Sequence, residues 1–234
     1  MTEELEIDTY LSISSSKLGI YLLDKSNLSI FYKEEFKFQN NSKYIDLNRL
    51  TIFLEMNIFK IEKLIGKFIT NIFLVIENNN LFNLFMGVKK KNYEKNIDKK
   101  KLESTLTDAK DLFKENHQDY RIMHMLINNY IIDGKYYKEF NNNFNTDALC
   151  LELQFISISN DFVSEIDKVI EKYQIKIVKY LDQNYINSVI EDSKIELPKK
   201  AHLIQTGYNE NEVLFVPKNL KKIGFFEKFF QLFS

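Results

Sequence analysis

The segment DYRIMHMLINNYIIDGKYY, residues 119–137, is the part of the sequence that decides the fold. Its first two thirds are rich in apolar and β-branched residues, which favour a long strand. Asp133 and Gly134 then form a dipeptide that strongly predicts a tight hairpin turn. We therefore expect a strand that turns back on itself, with His124 in its middle as a buried, hydrogen-bonded side chain.

The following and preceding segments extend this pattern into a mixed α/β arrangement. Residues 148–159 alternate between apolar and polar side chains, which predicts a second long strand. Residues 99–116 carry apolar side chains at helical spacing, and a further helix opens at Asp161. Strands are expected at residues 81–88 and 175–181, so strands and helices alternate along the chain.

The N-terminal third shows the same alternation. Residues 9–24 predict a hairpin, and residues 28–38 predict a third strand. Asp46 is a suitable N-cap for a helix that ends near Gly66. Residues 68–77 form a continuous apolar run, which is typical of a strand buried on both faces. The apolar residues of the predicted helix recur at helical spacing and are Leu50, Phe53, Leu54, Ile58, Ile61, Leu64 and Ile65.

Composition limits the possible classes of function. The 234 residues carry a formal net charge of −1, so no global field attracts the chain to nucleic acid or to a membrane. The single cysteine, Cys150, excludes an internal disulfide and fits a reducing compartment. Apolar runs are interrupted before they reach about 18 residues, so we expect no helix that spans a bilayer.

The tail, KKIGFFEKFFQLFS at residues 221–234, is strongly amphipathic. On a helical wheel its apolar residues occupy one half, and its polar and glycine residues occupy the other. This pattern favours a helix that lies on an anionic membrane surface, although a helix packed on the core or docked on a partner has similar features. The predicted membrane-binding residues are Lys221, Lys222, Ile223, Phe225, Phe226, Phe229, Phe230, Leu232 and Phe233.

Two polar segments have compositions that occur in binding sites. The serine-rich turn at residues 12–17 has the composition of a phosphate-binding turn, but a plain hairpin turn explains it more simply. The basic segment at residues 88–101 is interrupted by Glu94 and Asp98, which favours a solvated loop and helix start over an RNA site. The sequence contains no Walker loop, nucleophile elbow or paired-cysteine motif, so we expect no metal site and no nucleic-acid partner.

Residues 121–137, and the strand, helix and strand that follow them, resemble the central part of the bacterial cell-division protein family FtsA. In that family a strand that contains a His and ends in Tyr-x-x-Asp-Gly is followed by a second strand and a helix. Here those positions are His124, Tyr130, Asp133 and Gly134. This part of the family is the SHS2 subdomain, which is inserted in an actin-like ATPase.

Three other segments are similar to the same family. The turn SISSSK, residues 12–17, resembles the actin-like phosphate loop Asp-Ile-Gly-Thr-Ser-Lys. Residues 61–77 resemble the helix and strand that lead into SHS2. The tail is similar to the family's C-terminal membrane-targeting helix.

The chain departs from the family pattern in two places. Ser12 stands where the family has an Asp that would order Mg²⁺, and Ser14 stands where a Gly would let N–H groups approach a phosphate. After Val189 the family continues into a second ATPase lobe, whereas in this sequence only about 30 residues separate Val189 from the tail. We therefore expect no second lobe, no cofactor and no enzymatic activity. The family's contact with the tubulin-like protein FtsZ lies in that lobe, so it is not carried over.

Together these features predict an α/β (α+β) protein. It would consist of an SHS2 subdomain on a partial actin-like, ribonuclease-H-like lobe, followed by a C-terminal amphipathic helix. The partial lobe is expected at residues 1–80 and 175–218, the SHS2 subdomain at residues 81–174, and the membrane-targeting helix at residues 219–234.

The resemblance implies a cell-division adaptor. It would be held peripherally on anionic lipid at the cytoplasmic face of the membrane, at mid-cell, and would contact divisome proteins or further copies of itself. Tyr136, Tyr137 and Phe140, just after the hairpin turn, are the candidate contact residues. The alternatives are a scaffold of a pilus or secretion assembly from the same actin-like lineage, and a nucleotide-binding protein that uses the turn at residues 14–17.

Overall fold

The computed structural model of the chain describes residues 6–38, 44–91, 97–141, 144 and 146–214. The predicted amphipathic helix at residues 219–234 lies outside these residues. The strands are β1 (Ile7–Ile13), β2 (Lys17–Asp24), β3 (Ile30–Lys37), β4 (Asn71–Ile76), β5 (Phe82–Lys91), β6 (Tyr120–Ile132), β7 (Lys135–Tyr137), β8 (Ala148–Ser159) and β9 (Lys176–Asp182). The helices are α1 (Leu47–Ile65), α2 (Lys99–Asn116), α3 (Asn160–Glu171), α4 (Gln183–Val189) and α5 (Leu197–Gln205).

The first of two compact units comprises Met1–Asn80 and Asn160–Leu203. Its sheet has the strand order β3-β2-β1-β4-β9. The first three strands form an antiparallel meander, whereas β4 pairs in parallel with both β1 and β9. A meander followed by two parallel strands in this order is the topology expected of an actin-like, ribonuclease-H-like lobe.

Helix α1 in this unit begins and ends where its sequence predicts. The Asp46 side chain accepts hydrogen bonds from the N–H groups of Asn48 and Arg49, and Gly66 ends the helix with a φ of 68°. The buried residues of α1 are Leu50, Phe53, Leu54, Asn57, Ile58 and Ile61. The pattern also assigned Leu64 to this face, but that assignment is wrong because the side chain is 57% exposed.

The strand predicted at residues 68–77 is shorter than expected. The chain leaves α1 through the left-handed Gly66, and strand pairing begins only at Asn71. Phe68, which the apolar run placed in the strand, therefore precedes the sheet and is 81% exposed. From Ile72 onward β4 is largely buried, as predicted.

The second unit comprises Leu81–Ser159 and Ile204–Ser234. Its sheet has the order β5-β8-β6-β7, and every pair is antiparallel. Asp133 and Gly134 both have positive φ, at 50° and 75°, and connect paired residues Ile132 and Lys135. The predicted two-residue hairpin is therefore confirmed. Strand, helix, strand and strand follow in the order β5, α2, β6 and β8, as expected of SHS2, and the mixed α/β fold class is confirmed.

Helix α2 and the sheet form the core of the second unit. The buried residues of α2 are Leu102, Thr105, Leu106, Ala109 and Phe113. They pack against apolar side chains of β6 and β8, and the rings of Phe113 and Phe155 stack with centroids 4.8 Å apart. Both rings are fully buried.

The division into units differs from the predicted domain boundaries. The predicted SHS2 range of 81–174 includes α3, but α3 belongs to the first unit because its apolar face packs with β9 and α1. Residues 204–214 belong to the second unit, whereas residues 175–218 were predicted to return to the lobe. Glu212 forms a β-bridge with Leu126, which fixes this segment to β6.

Helix α5 was not predicted from the sequence. It contains Pro198, which usually indicates a helix break, but here the proline lies in the first turn. The missing N–H costs no hydrogen bond at that position, so the proline is compatible with the helix.

The core of the second unit leads to a stability prediction. Phe113→Ala should lower the free energy of unfolding by roughly 3–5 kcal/mol, because it leaves a cavity against Phe155. Urea denaturation followed by circular dichroism measures this loss. The matched control is Leu112→Ala at the adjacent, half-exposed position, which should cost less than about 1 kcal/mol. Equal losses for the two variants would contradict this description of the core.

Candidate functional site

The carboxyl ends of the parallel strands define one edge of the first unit's sheet. β1, β4 and β9 run in the same direction and end at Ile13, Ile76 and Asp182. Asp182 caps α4 by accepting hydrogen bonds from the N–H groups of Asn184 and Tyr185. Ligands of open α/β sheets bind in the crevice outside such strand ends.

A cavity of about 500 Å³ opens at this edge, within the first unit. The serine-rich turn forms part of its wall, through Ser12, Ser14 and Lys17. The charged residues that line the cavity are Lys17, Lys33, Lys200, Glu35, Glu77, Glu191 and Glu196. Carboxylates therefore outnumber cations in the lining, which is unfavourable for a polyphosphate without bound metal ions.

The N–H groups of the serine-rich turn donate hydrogen bonds to acceptors within the turn. The N–H of Ser14 donates to the Lys17 carbonyl oxygen at 2.9 Å. The Ser14 Oγ accepts from the N–H groups of Lys17 at 2.8 Å and Ser16 at 3.2 Å. A phosphate-binding turn presents such N–H groups to its ligand. Three of them are used inside this turn, which joins β1 and β2 as the predicted hairpin.

A carboxylate lies beside the turn and pairs with its lysine. Glu35 on β3 accepts a hydrogen bond from the Tyr21 hydroxyl at 2.7 Å and forms an ion pair with Lys17 at 2.7 Å. Lys33 lies 3.5 Å from Glu35 and 2.9 Å from Glu196, which extends the network. The cation of the turn is thus already neutralised by a side chain of the same unit.

Tyr21 reaches this network by crossing over Gly19. A Cβ atom at Gly19 would lie 2.5 Å from the Tyr21 hydroxyl oxygen and 2.8 Å from the Ser12 Oγ. Any side chain there would displace the phenol ring, so glycine is required for the close approach of Tyr21. The glycine in this hairpin therefore makes room for a side chain of the protein itself.

The network has clear electrostatic consequences. Burial alone would raise the pKa of Glu35, but hydrogen bonds from Lys17 and Tyr21 and the charges of Lys17 and Lys33 outweigh it and lower the pKa to about 2. Burial and the hydrogen bond to Glu35 raise the pKa of Tyr21 far above its usual range. Glu35 is therefore a stable anion and Tyr21 a stable neutral donor at physiological pH.

The predicted contact residues after the hairpin turn lie in different environments. Tyr136 is 64% exposed, and Tyr137 is 37% exposed, with its ring 5.0 Å from that of Phe144. Phe140 packs against the core of the second unit, with its ring 5.7 Å from that of Tyr130. Tyr136 is the most accessible of the three, and their role in binding stays a prediction.

His124 is buried and hydrogen-bonded, as predicted. Its Nδ1 lies 2.8 Å from the Glu212 Oε1, and both side chains are almost wholly buried. Backbone hydrogen bonds between Ile127 and Asn211 and between Val213 and Met125 flank this pair. The pair thus holds residues 209–214 against β6.

The remaining predictions about sites concern metal binding and membrane binding. Among the described residues, no group of three or more His, Cys, Asp or Glu side chains could hold a metal ion. The described helices also include none that is long and apolar enough to cross a bilayer. The predicted membrane-binding residues, from Lys221 to Phe233, lie outside the described residues.

Sequence reasoning missed the main feature of the cavity, the network of Glu35, Lys33 and Glu196. Its signal in the sequence is a pair of glutamates within a strand, which is uncommon. Only the register of β2 and β3 shows that Glu35 lies opposite Gly19, so the signal could not be interpreted from the sequence.

The chain matches no protein-family model and no curated protein. Solved structures that are similar to it at low identity include three that are described below. The PilM-PilN type IV pilus biogenesis complex matches with 8% identity and a TM-score of 0.47, over 79% of this chain and 50% of that one. The cytoplasmic domain of EpsL, an inner membrane component of the Vibrio cholerae type II secretion system, matches with 7% identity and a TM-score of 0.35, over 76% and 57%.

The third similar structure is a Bacteroides thetaiotaomicron protein of unknown function with an actin-like ATPase fold. It has 14% identity and a TM-score of 0.31, over 81% of this chain and 58% of that one. The chain therefore spans between half and three fifths of the length of the solved structures it matches. These comparisons contain nothing specific to FtsA.

The Glu35 network leads to a prediction for the pH dependence of stability. Because the folded pKa of Glu35 lies below its ordinary value of 4.5, the network adds stability that is present above about pH 4.5 and is lost as the pH falls toward 2. Wild type should exceed Glu35→Gln in free energy of unfolding by roughly 1–2 kcal/mol at pH 7. The difference should narrow by about half between pH 5 and pH 3.

Urea denaturation across this pH range measures the effect. Glu34→Gln is the matched control, because Glu34 is the neighbouring glutamate on β3 and is exposed. It should follow wild type at every pH. A difference between wild type and Glu35→Gln that stays constant from pH 7 to pH 3 would show that the Glu35 carboxylate does not stabilise the fold through its charge.

Proposed function

We propose that the chain is a non-enzymatic adaptor at the cytoplasmic face of the membrane. In this proposal the tail binds anionic lipid, and the SHS2-type second unit binds other proteins. Two weak contacts in series would raise the effective concentration of those partners at the membrane.

The observation that carries the non-enzymatic part is the ion pair of Lys17 and Glu35. A nucleotide at the carboxyl edge of the sheet would need the N–H groups of the turn and a free cation for its phosphates. Here Ser14 uses those N–H groups, and Glu35 pairs with Lys17 at 2.7 Å. A phosphate would have to displace a carboxylate whose pKa is lowered to about 2 by this pairing.

The membrane part rests on the amphipathic pattern of the tail. One half of its helical wheel is apolar and dominated by phenylalanine, and Lys221, Lys222 and Lys228 add positive charge. Insertion of the apolar side chains and attraction of the lysines to anionic lipid both favour binding at the interface.

The proposal also concerns which proteins the chain binds. The resemblance to FtsA favours divisome proteins, with exposed Tyr136 as the first residue to test. The alternative is a scaffold for pilus or secretion assembly, which is how two of the similar solved structures are described. Cellular localisation distinguishes the two.

The absence of nucleotide binding is directly testable. Isothermal titration of the full chain with ATP and Mg²⁺ should give no binding with a Kd below about 1 mM, because the turn and its lysine are already occupied. An actin-like ATPase titrated under the same conditions serves as a positive control. Binding in the micromolar range would contradict the adaptor proposal and support a nucleotide-binding protein.

Cellular localisation of the chain tests the proposed membrane anchor and the proposed protein partners together. A fluorescent fusion of the full chain should lie at the cell membrane and form a mid-cell band in dividing cells. A fusion carrying Phe226→Gln and Phe230→Gln should become diffuse, because the apolar face of the tail is interrupted. A membrane signal without a mid-cell band would favour the pilus or secretion scaffold, and a membrane signal that survives both substitutions would exclude the tail as the anchor.

A further inference from the structure

Strand β5 is an edge strand of the second unit's sheet. It stands first in the strand order β5-β8-β6-β7 and pairs with β8 from Phe82 to Lys91. Among the described residues, no backbone hydrogen bond joins β5 to any strand other than β8. The outer side of such a strand carries a row of N–H and C=O groups, which can pair with a further extended strand.

The two faces of β5 differ in composition. One face packs against the core of the second unit through Phe82, Leu84, Met86 and Val88. The alternate residues lie on the other face and are exposed, and they include Asn83, Phe85, Gly87 and Lys89. A strand that continued the sheet beyond β5 would therefore extend an apolar row on one face and lie beside these exposed residues on the other.

Phe85 and Gly87 are neighbours on the exposed face. The Phe85 side chain is 67% exposed. A Cβ atom placed on Gly87 would have no atom of a non-adjacent residue within 4 Å, so the surface above the glycine is open. Glycine within a strand weakens the strand and often marks a place where another backbone approaches closely. An aromatic ring on a neighbouring strand compensates for such a glycine by covering it.

These two residues become complementary when two copies of β5 pair in antiparallel orientation. If Met86 lies opposite Met86 of the second copy, each Phe85 lies opposite the Gly87 of the other chain. A two-fold axis at Met86 thus covers both glycines with phenylalanine rings, which is the self-complementary pattern that a symmetric dimer requires. The same register places Leu84 opposite Val88 of the second copy, so the apolar row continues across the interface.

The lysines of β5 agree with this register. Lys89 lies opposite Asn83 of the second copy, and six residues, or about 20 Å, separate the two copies of Lys89 along the strands. A parallel pairing in register would instead place the lysines at positions 89, 90 and 91 opposite their own copies, where like charges repel. The distribution of charge along β5 therefore favours the antiparallel arrangement.

We propose that β5 is the interface of a symmetric dimer, in which two four-stranded sheets join edge to edge about Met86. Backbone hydrogen bonds supply an attraction that any extended strand could share, and the Phe85–Gly87 pairs select a second copy of this chain. The proposal stands independently of the proposed function, because it requires neither lipid nor another protein. A dimer would carry two tails and would bind a membrane more tightly than one chain.

Sedimentation equilibrium of the full chain without vesicles tests the dimer. Wild type should show a reversible equilibrium between monomer and dimer. Phe85→Lys should raise the dimer Kd by about tenfold or more, because each contact occurs twice and the new lysine lies diagonal to Lys89 of the second copy. Phe68→Lys, at an exposed aromatic position in the first unit, is the matched control and should leave the Kd unchanged. A wild-type chain that remains a monomer up to about 100 μM overturns the proposal.

Disulfide cross-linking tests the register of the two strands. In a Cys150→Ser background, Asn83→Cys and Lys89→Cys each introduce one exposed cysteine. Oxidation of a mixture of the two variants should give a covalent dimer, because positions 83 and 89 of opposite copies lie side by side with Cα atoms about 5 Å apart. Either variant oxidised alone should stay uncross-linked, because its two cysteines are about 20 Å apart.

Association through another surface has a distinct signature. Phe226→Gln with Phe230→Gln should dimerise as wild type, and loss of the dimer in that variant with no effect of Phe85→Lys would assign association to the tail and overturn the β5 interface. Equal cross-linking of the mixed and the single cysteine variants would also overturn it. A monomeric chain that still reaches the cell membrane would overturn the β5 interface alone and leave the proposed function standing.

Discussion

Parallel pairing of β4 with both β1 and β9 is the constraint on which the structure depends. Parallel neighbours cannot be joined by a tight turn, so the chain must make a crossover between β4 and β9. The second unit and α3 occupy that crossover. The same pairing aligns the carboxyl ends of three strands at one edge, which is why a cavity forms there from segments distant in sequence.

At that edge the polar groups of the first unit bond to one another. The serine-rich turn uses its own N–H groups, Glu35 neutralises Lys17, and Tyr21 fills the space above Gly19. Each contact is modest in energy, and all three are made within the first unit.

The proposed activity consequently lies on surfaces rather than in the cavity. The tail combines phenylalanine with lysine and is proposed to bind lipid. The second unit presents a different surface at its hairpin, where Tyr136 is exposed beside a packed aromatic cluster. An adaptor requires this kind of separation, because a membrane contact and a protein contact have to be made at the same time.

Local sequence determined the elements whose signals are local. Asp46 and Gly66 set the ends of α1, and Asp133 with Gly134 sets the hairpin, because capping and turn geometry depend on a few adjacent residues. Apolar periodicity likewise predicted α2 and β8 at their observed bounds. Tertiary structure alone decided that α3 packs with β9, that Leu64 and Phe68 are exposed, and that Glu35 lies opposite Gly19. Those outcomes depend on strand register and on which surfaces meet, and neither is encoded within a short stretch of chain.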